Sequence, residues 1–199
     1  MKKNFLTAFV ASLLMVFSFA TLASAQTAPT DFPNVKIGNF GQMDERFYRG
    51  AQPLPDDYQA LKDLGVKTVI DLRNDPTDYE KAAVEALGMK YVNIQMSGWK
   101  SPKDRQIEEF LKLANDPETG KFFVHCKAGI HRTGVAGAVW RFTKYDWGYD
   151  QAYKEMKNYN FSSGLVHGSL KSYVKDYAKE MEAEKASQTV TQRAAQAIQ

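Results

Sequence analysis

The sequence predicts an α/β fold with a mainly parallel central sheet flanked by helices. Short β-branched segments alternate with segments of helical spacing along residues 46–184, as expected when strands are joined by helical crossovers. Gly65 and Gly88 directly follow two of the predicted helices, where a left-handed residue commonly ends a helix. The single cysteine lies between the last predicted strand and a helix, at the edge of the sheet where ligands bind.

Each element has a local reason. Strands are predicted where β-branched and aromatic residues run together, at 47–49, 66–72, 90–96 and 121–125. Helices are predicted where apolar residues recur at three- and four-residue spacing, at 56–64, 76–87, 102–114, 133–144, 149–159 and 169–184. We therefore expect one folded domain at 46–184, preceded by an N-terminal extension at 26–45 and followed by a flexible polar tail at 185–199.

Residues 1–25 have the order of a secretory signal peptide. Two lysines precede an uncharged apolar run at 5–20, and Ala23-Ser24-Ala25 provides small residues for cleavage before Gln26. The run is shorter than the ~20 apolar residues of a usual membrane span, which favours cleavage over an uncleaved anchor. We expect an exported, periplasmic or secreted bacterial product without a stable membrane span after cleavage.

Composition and charge exclude several classes of protein. The 199 residues are 44% hydrophobic and 25% charged, which is typical of a globular chain and not of a disordered or collagenous one. Cleavage would lower the net charge from +3 to +1, because the leader holds two lysines and no acid. Without a basic stripe, no nucleic-acid partner is expected. One cysteine excludes an internal disulfide and a multi-cysteine zinc site.

The loop from Cys126 to Arg132 carries the chemistry. A loop that wraps onto a helix N-terminus directs backbone N–H groups at one point and forms an anion site. Gly129 permits a backbone angle that other residues resist, and the fork of Arg132 can bind two phosphate oxygens. In this positive environment the pKa of Cys126 should be depressed, which makes it a nucleophile for phosphoryl transfer. The Thr133 hydroxyl can hydrogen-bond the sulfur.

Two other interpretations of the cysteine are weaker. A lone cysteine is usually a small buried hydrophobe, but the arginine six residues later and the following threonine make this loop far more specific. His125, Cys126 and His131 do not have the spacing of a usual zinc motif, and the neighbouring cations would repel a metal. We predict no metal and no cofactor. His125 is expected to be a packed support for Cys126.

The segment HCKAGIHRTG, residues 125–134, resembles the HCxxGxxRTG signature of cysteine-dependent protein-tyrosine and dual-specificity phosphatases. The resemblance extends from about Phe47 to Phe161, through FYRGAQP, GVKTVIDLR and QMSGWKSP, and points to the atypical dual-specificity phosphatases of plants, fungi and bacteria. It implies a phosphatase domain at 46–184 with a phosphotyrosine-phosphatase-like fold. In that group some members act on inositol pyrophosphates or phosphoinositides.

The resemblance also implies site residues. Cys126 would be the nucleophile, Arg132 the phosphate clamp and Thr133 the group that assists the sulfur. The phosphate would be bound by the loop residues Lys127, Ala128, Gly129, Ile130, His131 and Arg132.

The general acid is the point at which this sequence departs from the family. Most members have an aspartate in the loop that here reads Ser97-Gly98-Trp99-Lys100, without a carboxylate. Asp104 is the first candidate, although Ser101 as N-cap and Asp104 as N3 also fit a capping box. Asp71, Asp75 and Asp78 follow another strand and are further candidates.

The substrate is open at this stage. A missing acid would favour leaving groups of low pKa, such as those of phosphotyrosine or a phosphoanhydride, over phosphoserine. The main prediction is a tyrosine or dual-specificity phosphatase, and the alternative is an inositol polyphosphate, pyrophosphate or phosphoinositide phosphatase. Lys100, Lys127 and Arg49 are candidate contacts to a polyanion. A non-catalytic phosphate-binding module and a sulfurtransferase are further alternatives, and no oligomeric state is predicted.

Overall fold

The computed structural model describes residues 32–164 and 166–196, and within them a five-stranded sheet. The strands are β1 (Gly41–Gln42), β2 (Phe47–Gly50), β3 (Val66–Arg73), β4 (Lys90–Met96) and β5 (Lys121–His125). Their order is β1-β2-β5-β3-β4, and every pair is parallel except the antiparallel edge pair β1–β2. The predicted α/β class with a mainly parallel sheet is confirmed.

Six α-helices cover the two faces of this sheet: α1 (Tyr58–Asp63), α2 (Glu80–Ala86), α3 (Asp104–Asn115), α4 (His131–Tyr145), α5 (Tyr149–Asn158) and α6 (Gly168–Gln196). Short 3-10 turns precede α1 at Pro55–Asp57 and β5 at Pro117–Thr119. Among the described residues no helix is both long enough and apolar enough to cross a membrane.

Alternation along β5 divides the core into two clusters, because successive strand side chains point to opposite faces. Phe122 and Val124 pack into the cluster beneath α3–α6, together with the fully buried Trp140 of α4. Phe123 packs into the other cluster with Tyr58 and the residues of α1 and α2. His125 continues the Phe123 face, so its imidazole lies inside the fold and not in solvent.

The sheet order places the cysteine loop at the centre of the molecule. β5 lies between β2 and β3, with His125 paired to Gly50 on one side and to Asp71 on the other. The loops that follow β2, β3 and β4 therefore leave the sheet at the same edge as the loop after β5. This arrangement brings segments that are distant in sequence around Cys126.

Several predicted boundaries were wrong. Helix α2 begins at Glu80 and not at residue 76, and α6 continues to Gln196, so residues 185–196 of the expected tail are helical. The expected N-terminal extension contains strand β1 and buried side chains such as Ile37 and Met43, so the folded body begins well before residue 46. The predicted signal peptide lies outside the described residues.

Candidate active site

The loop after β5 has a backbone that requires glycine. Gly129 has φ +66°, and a Cβ there would clash with the backbone of Gly50. An L-residue at this position would meet both the conformational cost of positive φ and a steric conflict with β2. The loop thus packs directly against the end of β2 before entering helix α4 at His131.

Cys126 lies at the base of the loop with 3% of its surface exposed. Burial alone would raise the pKa of its thiol, but this effect is outweighed by hydrogen bonds from the Thr133 hydroxyl and N–H, the charge of Arg132 and the N–H of Gly129. The pKa of Cys126 is consequently below its ordinary value. The structure thus places Thr133 beside the Cys126 thiol, as the predicted role of Thr133 requires.

Arg132 reaches from the first turn of α4 across the ends of two strands. Its Nη1 atom donates to Asn74 Oδ1 at 3.2 Å, to the carbonyl oxygen of Met96 at 3.2 Å and to that of Leu72 at 3.4 Å. These contacts hold the guanidinium by one nitrogen and leave Nε and Nη2 as the atoms that can bind phosphate. A fork fixed in this way is suited to an oxyanion.

An open pocket of about 400 Å³ lies above the thiol. It is lined by Asn74, Asp75, Gly98, Trp99, Cys126, Lys127, Ala128, His131, Arg132 and His167, and we call it the Cys126 pocket. The structure thus brings together most of the predicted phosphate-binding residues, with Gly129 and Ile130 completing the loop between Ala128 and His131. Lys127 is exposed and extends the positive charge of the pocket toward solvent.

A buried ion-pair network supports the pocket from below. His125 Nε2 lies 2.7 Å from Glu80 Oε1 and 3.8 Å from Asp71 Oδ1, and all three side chains are buried. Burial would lower the pKa of His125, but Glu80 and Asp71 outweigh it and raise the pKa above its usual value. Burial would likewise raise the pKa of Glu80, but His125 and Gln52 outweigh it and lower it. For Asp71 burial prevails, and its pKa is raised.

The same three residues are the one group of potential metal ligands that lies close together in the described part of the chain. Three of their four carboxylate oxygens accept hydrogen bonds from other residues: Asp71 accepts from the Arg73 N–H at 2.8 Å and the Tyr91 hydroxyl at 3.0 Å. Gln52 donates to Glu80 at 2.9 Å. The fourth, Glu80 Oε1, has no hydrogen-bond partner within the described residues and lies 2.7 Å from His125 Nε2, so these groups form a buried ion pair.

Arg49 and Lys100 do not occupy the positions expected of substrate contacts. Arg49 is 1% exposed and donates from Nη2 to the carbonyl oxygen of Gly129 at 2.6 Å, behind the loop. Arg49 is not among the residues that line the Cys126 pocket. Lys100 is exposed but is not among the residues that line the Cys126 pocket. Its backbone N–H donates a hydrogen bond to the Ser97 hydroxyl.

Asp104 is likewise not brought to the thiol. It is the first residue of α3, whose N-cap is Lys103, so the predicted N-cap at Ser101 and N3 position of Asp104 were wrong. The capping interaction instead runs from the Lys103 N–H to the side-chain oxygen of Gln106 at 2.7 Å. Asp104 lines a separate groove between α3 and α6, because the helix turns its first residue toward α6.

Asp75 is the one carboxylate among the described residues that line the Cys126 pocket. Arg73 binds it through two hydrogen bonds, at 3.1 and 3.3 Å. These bonds are the main reason that the pKa of Asp75 is lowered. The one carboxylate that lines the described pocket is therefore held in its ionised form, which makes it a poor proton donor.

Two side chains of the pocket carried no sequence signal. Trp99 and His167 join His131 in a column of rings: His131 and His167 stack with centroids 3.4 Å apart, and Trp99 stacks on His167 at 5.2 Å. Burial is the main cause of a lowered pKa of His131. The contact of His167 could not be read from sequence, because it follows from the path of the chain between α5 and α6.

Comparison with known proteins identifies the class that this fold and site define. The chain belongs to the family described as DSP-PTPase phosphatase fused to NAD+ kinase, which matches residues 28–176. The resemblance to cysteine-dependent dual-specificity phosphatases is thereby confirmed.

Individual relatives fall in the same group. The chain is 30% identical over 102 residues to inositol diphosphatase DSP3 of Arabidopsis thaliana, a match that covers 48% of this chain and 50% of that protein. It is also 30% identical over 101 residues to the chloroplastic NAD kinase 2 of Arabidopsis thaliana, covering 48% of this chain and 10% of that protein. The chain thus spans half or less of the length of these two curated relatives.

Solved structures share the fold. The catalytic core of the PP-IP phosphatase SIW14 from S. cerevisiae has a TM-score of 0.63 at 20% identity, covering 77% of this chain and 93% of that one. P. aeruginosa TpbA has a TM-score of 0.62 at 22% identity, covering 78% and 96%. At this level of identity the similarity establishes the fold.

Proposed function

We propose that this protein hydrolyses phosphate esters through a phosphocysteine intermediate, with Cys126 as the nucleophile. One observation carries the proposal: a buried thiol of lowered pKa faces a pocket lined by the loop backbone and the Arg132 fork. A thiolate that faces an anion site can attack phosphorus, whereas an ordinary buried thiol cannot.

The proposed reaction has two steps. In the first, Cys126 Sγ forms a bond to phosphorus while the bond from phosphorus to the leaving oxygen breaks. The loop N–H groups and Arg132 bind the equatorial oxygens, whose charge they stabilise in the transition state. In the second step water attacks phosphorus and gives up a proton to solvent as the bond from sulfur to phosphorus breaks. The products are inorganic phosphate and the Cys126 thiolate, which the Thr133 hydroxyl stabilises.

The pocket favours leaving groups that need little protonation. Asp104 lies in another groove, and the carboxylate of Asp75 is ionised and paired with Arg73. Aryl phosphates and phosphoanhydrides release oxygens of low pKa, whereas phosphoserine releases an alkoxide that requires an acid. We therefore propose that leaving-group pKa strongly affects the rate. A series of aryl phosphates measures this dependence, and a flat dependence would contradict it.

The main substrate hypothesis is phosphotyrosine, as in tyrosine and dual-specificity phosphatases. The indole of Trp99 is 63% exposed beside the pocket and offers an apolar surface to an aromatic leaving group. The alternative is an inositol polyphosphate or pyrophosphate, supported by the exposed Lys127 and by the similarity to inositol diphosphatases. A panel of phosphotyrosine peptide, phosphoserine peptide, inositol polyphosphate and inositol pyrophosphate separates the two.

The mechanism is tested with the protein lacking residues 1–25 and an aryl phosphate in EDTA. Activity should persist in the chelator and be absent from Cys126→Ser. Activity that survives this substitution, or that the chelator removes, would exclude a metal-independent phosphocysteine route. Transfer of sulfur from thiosulfate to cyanide would instead indicate a sulfurtransferase. Phosphate binding without turnover would indicate a binding module.

Export is a separate proposal, supported by the charged start, apolar run and cleavage site of residues 1–25. Expression in a Gram-negative host, followed by fractionation and N-terminal sequencing, tests it. The expected product is periplasmic and begins at Gln26. An intact N-terminus in the cytoplasmic fraction would contradict it.

A further inference from the structure

The outer side of the phosphate loop is held by hydrogen bonds to its carbonyl groups. The carbonyl oxygen of Gly129 accepts from Arg49 Nη2 at 2.6 Å and from Asn39 Nδ2 at 2.9 Å. That of Lys127 accepts from the Gln52 N–H at 3.2 Å. All three donors belong to residues 39–52, far from the loop in sequence. The loop is thus bonded from behind by the N-terminal part of the fold.

These bonds determine where the loop N–H groups point. In a planar trans peptide the carbonyl and the following N–H point in opposite directions. Binding the Gly129 carbonyl on the outer side therefore directs the Ile130 N–H toward the inner side of the loop. The Lys127 carbonyl acts in the same way on the Ala128 N–H. An anion in the Cys126 pocket needs these N–H groups directed inward.

The two donors to Gly129 are themselves fixed by one neighbour. The Arg49 guanidinium carbon lies 3.8 Å from the ring centroid of Tyr159, and Asn39 Nδ2 also donates to the Tyr159 carbonyl at 3.1 Å. Asn39 has φ 53°, and its Oδ1 accepts from Asn160 at 3.3 Å. Both donors thus have little freedom to leave the loop.

Burying the Arg49 side chain lowers the stability of the fold, which a residue with a purely structural role would not need to do. Its guanidinium is fully buried, and burial is the main reason that the pKa of Arg49 falls to about 10. Its Nε has no hydrogen-bond partner within residues 32–164 and 166–196. A buried cation with an unsatisfied donor costs stability, and an apolar side chain would fill the same space at lower cost.

We propose that Asn39 and Arg49 are positioning residues that orient the Gly129–Ile130 peptide for oxyanion binding. They act through the Gly129 carbonyl and do not touch the substrate. The inference rests on the proposed phosphatase function but concerns anion binding, which is measurable without turnover.

Two substitutions test the proposal. Asn39→Gly removes the amide donor and keeps the positive φ that glycine accepts without strain. Arg49→Met removes the charged donor and keeps most of the buried volume. Each should weaken binding of tungstate, measured by calorimetry, about fivefold, because a hydrogen bond to a neutral carbonyl is worth about 1 kcal/mol. kcat/KM for an aryl phosphate should fall by at least the same factor.

The controls separate orientation from folding. Asp146→Gly also replaces a residue of positive φ, 59°, but at the far end of α4, and should leave tungstate affinity unchanged. Arg49→Lys keeps one cationic donor and should recover part of the affinity. Circular dichroism and the thermal midpoint establish that each variant is folded.

The proposal is overturned if folded Asn39→Gly binds tungstate as tightly as the unsubstituted protein. If Arg49→Met does not fold, Asn39→Gly alone decides. An unsubstituted protein that binds tungstate but hydrolyses no phosphate ester would refute the proposed function and leave this inference testable by binding alone.

Discussion

The Cys126 pocket and the groove between α3 and α6 are both open clefts, yet they carry opposite charge. The groove is the larger, at about 600 Å³ against about 400 Å³. Its described lining includes four carboxylates, Asp104, Glu108, Asp176 and Glu180, and no lysine or arginine. The Cys126 pocket is lined by Lys127, Arg132 and a loop backbone that follows a strand and enters a helix, and its one carboxylate among the described residues, Asp75, is paired with Arg73.

The difference shows that charge and backbone orientation, and not cavity size, identify the site for a phosphate. A dianion in the α3–α6 groove would be repelled by every ionised side chain around it, whereas in the Cys126 pocket it meets donors. Asp104 lines this acidic groove and is not among the residues that line the Cys126 pocket. Four substitutions test this division.

Cys126→Ser should have the largest effect. Replacing the thiolate by a hydroxyl of much higher pKa should lower kcat by roughly 10⁴-fold or more, because the nucleophile is lost while the anion site remains. Steady-state kinetics measures the loss, and calorimetry with tungstate should show that binding persists. If the variant kept activity, the reaction would have to be placed outside the Cys126 pocket.

Glu80→Gln should destabilise the support beneath the pocket. Removing one partner of a buried ion pair should lower the free energy of unfolding by about 3 kcal/mol, and urea unfolding would measure the change. Glu85→Gln is the matched control, since Glu85 lies on the same helix with its side chain 53% exposed.

The effect of Glu80→Gln should depend on pH. The stability from the lowered pKa of Glu80 is present above its ordinary value of 4.5 and is lost as pH falls. The stability from the raised pKa of His125 is present below its ordinary value of 6.5 and is lost as pH rises through the folded-state value. The difference in unfolding free energy between the unsubstituted protein and Glu80→Gln should therefore be greatest between pH 4.5 and pH 6.5. A pH-independent difference would argue against a charged pair.

Thr133→Ala should raise the pKa of Cys126, because a hydrogen bond to the thiolate is lost. The acidic limb of the kcat/KM profile should move to higher pH by roughly one to two units, the equivalent of a hydrogen bond to a charged group. Thr133→Ser should restore the profile, and Thr143→Ala on the same helix should not change it. Alkylation of Cys126 by iodoacetamide across pH gives an independent measurement.

Asp104→Asn should have the smallest effect, within about twofold on kcat/KM, because solvent screens an exposed charge in a separate cleft. Asp75→Asn provides the comparison from within the Cys126 pocket. The informative measurement is the rate with aryl phosphates of good and poor leaving groups. A selective loss on poor leaving groups in Asp104→Asn would restore it as the general acid. The same result in Asp75→Asn would assign the role there.

The strands and the loop around Cys126 were predicted well from the sequence. Residues 90–96 and 121–125 were predicted as strands with their observed bounds, because their β-branched and aromatic residues leave little alternative. The local order from Cys126 to Thr133 was sufficient to predict an anion loop, since strand, loop and helix N-terminus are contiguous. Hydrogen bonds within one short segment follow from residue type and spacing.

The outer side of the site was not predictable in this way. Arg49 was a candidate contact to the substrate and instead bonds behind the loop, because sheet order places β2 beside β5. Asp104 was a candidate general acid as well as a helix cap, but the start of α3 turns it toward α6. Both outcomes depend on how distant segments pack, which no local pattern encodes.

By itself, the sequence determined the α/β class and the strand-loop-helix segment that holds Cys126 and Arg132, because these depend on contiguous residues and their intrinsic geometry. Tertiary structure alone decided which charges face the Cys126 pocket and which support it from behind. Asn39 and Arg49 meet Gly129 across 90 and 80 residues of chain, and such contacts exist only once the sheet has brought its strands together.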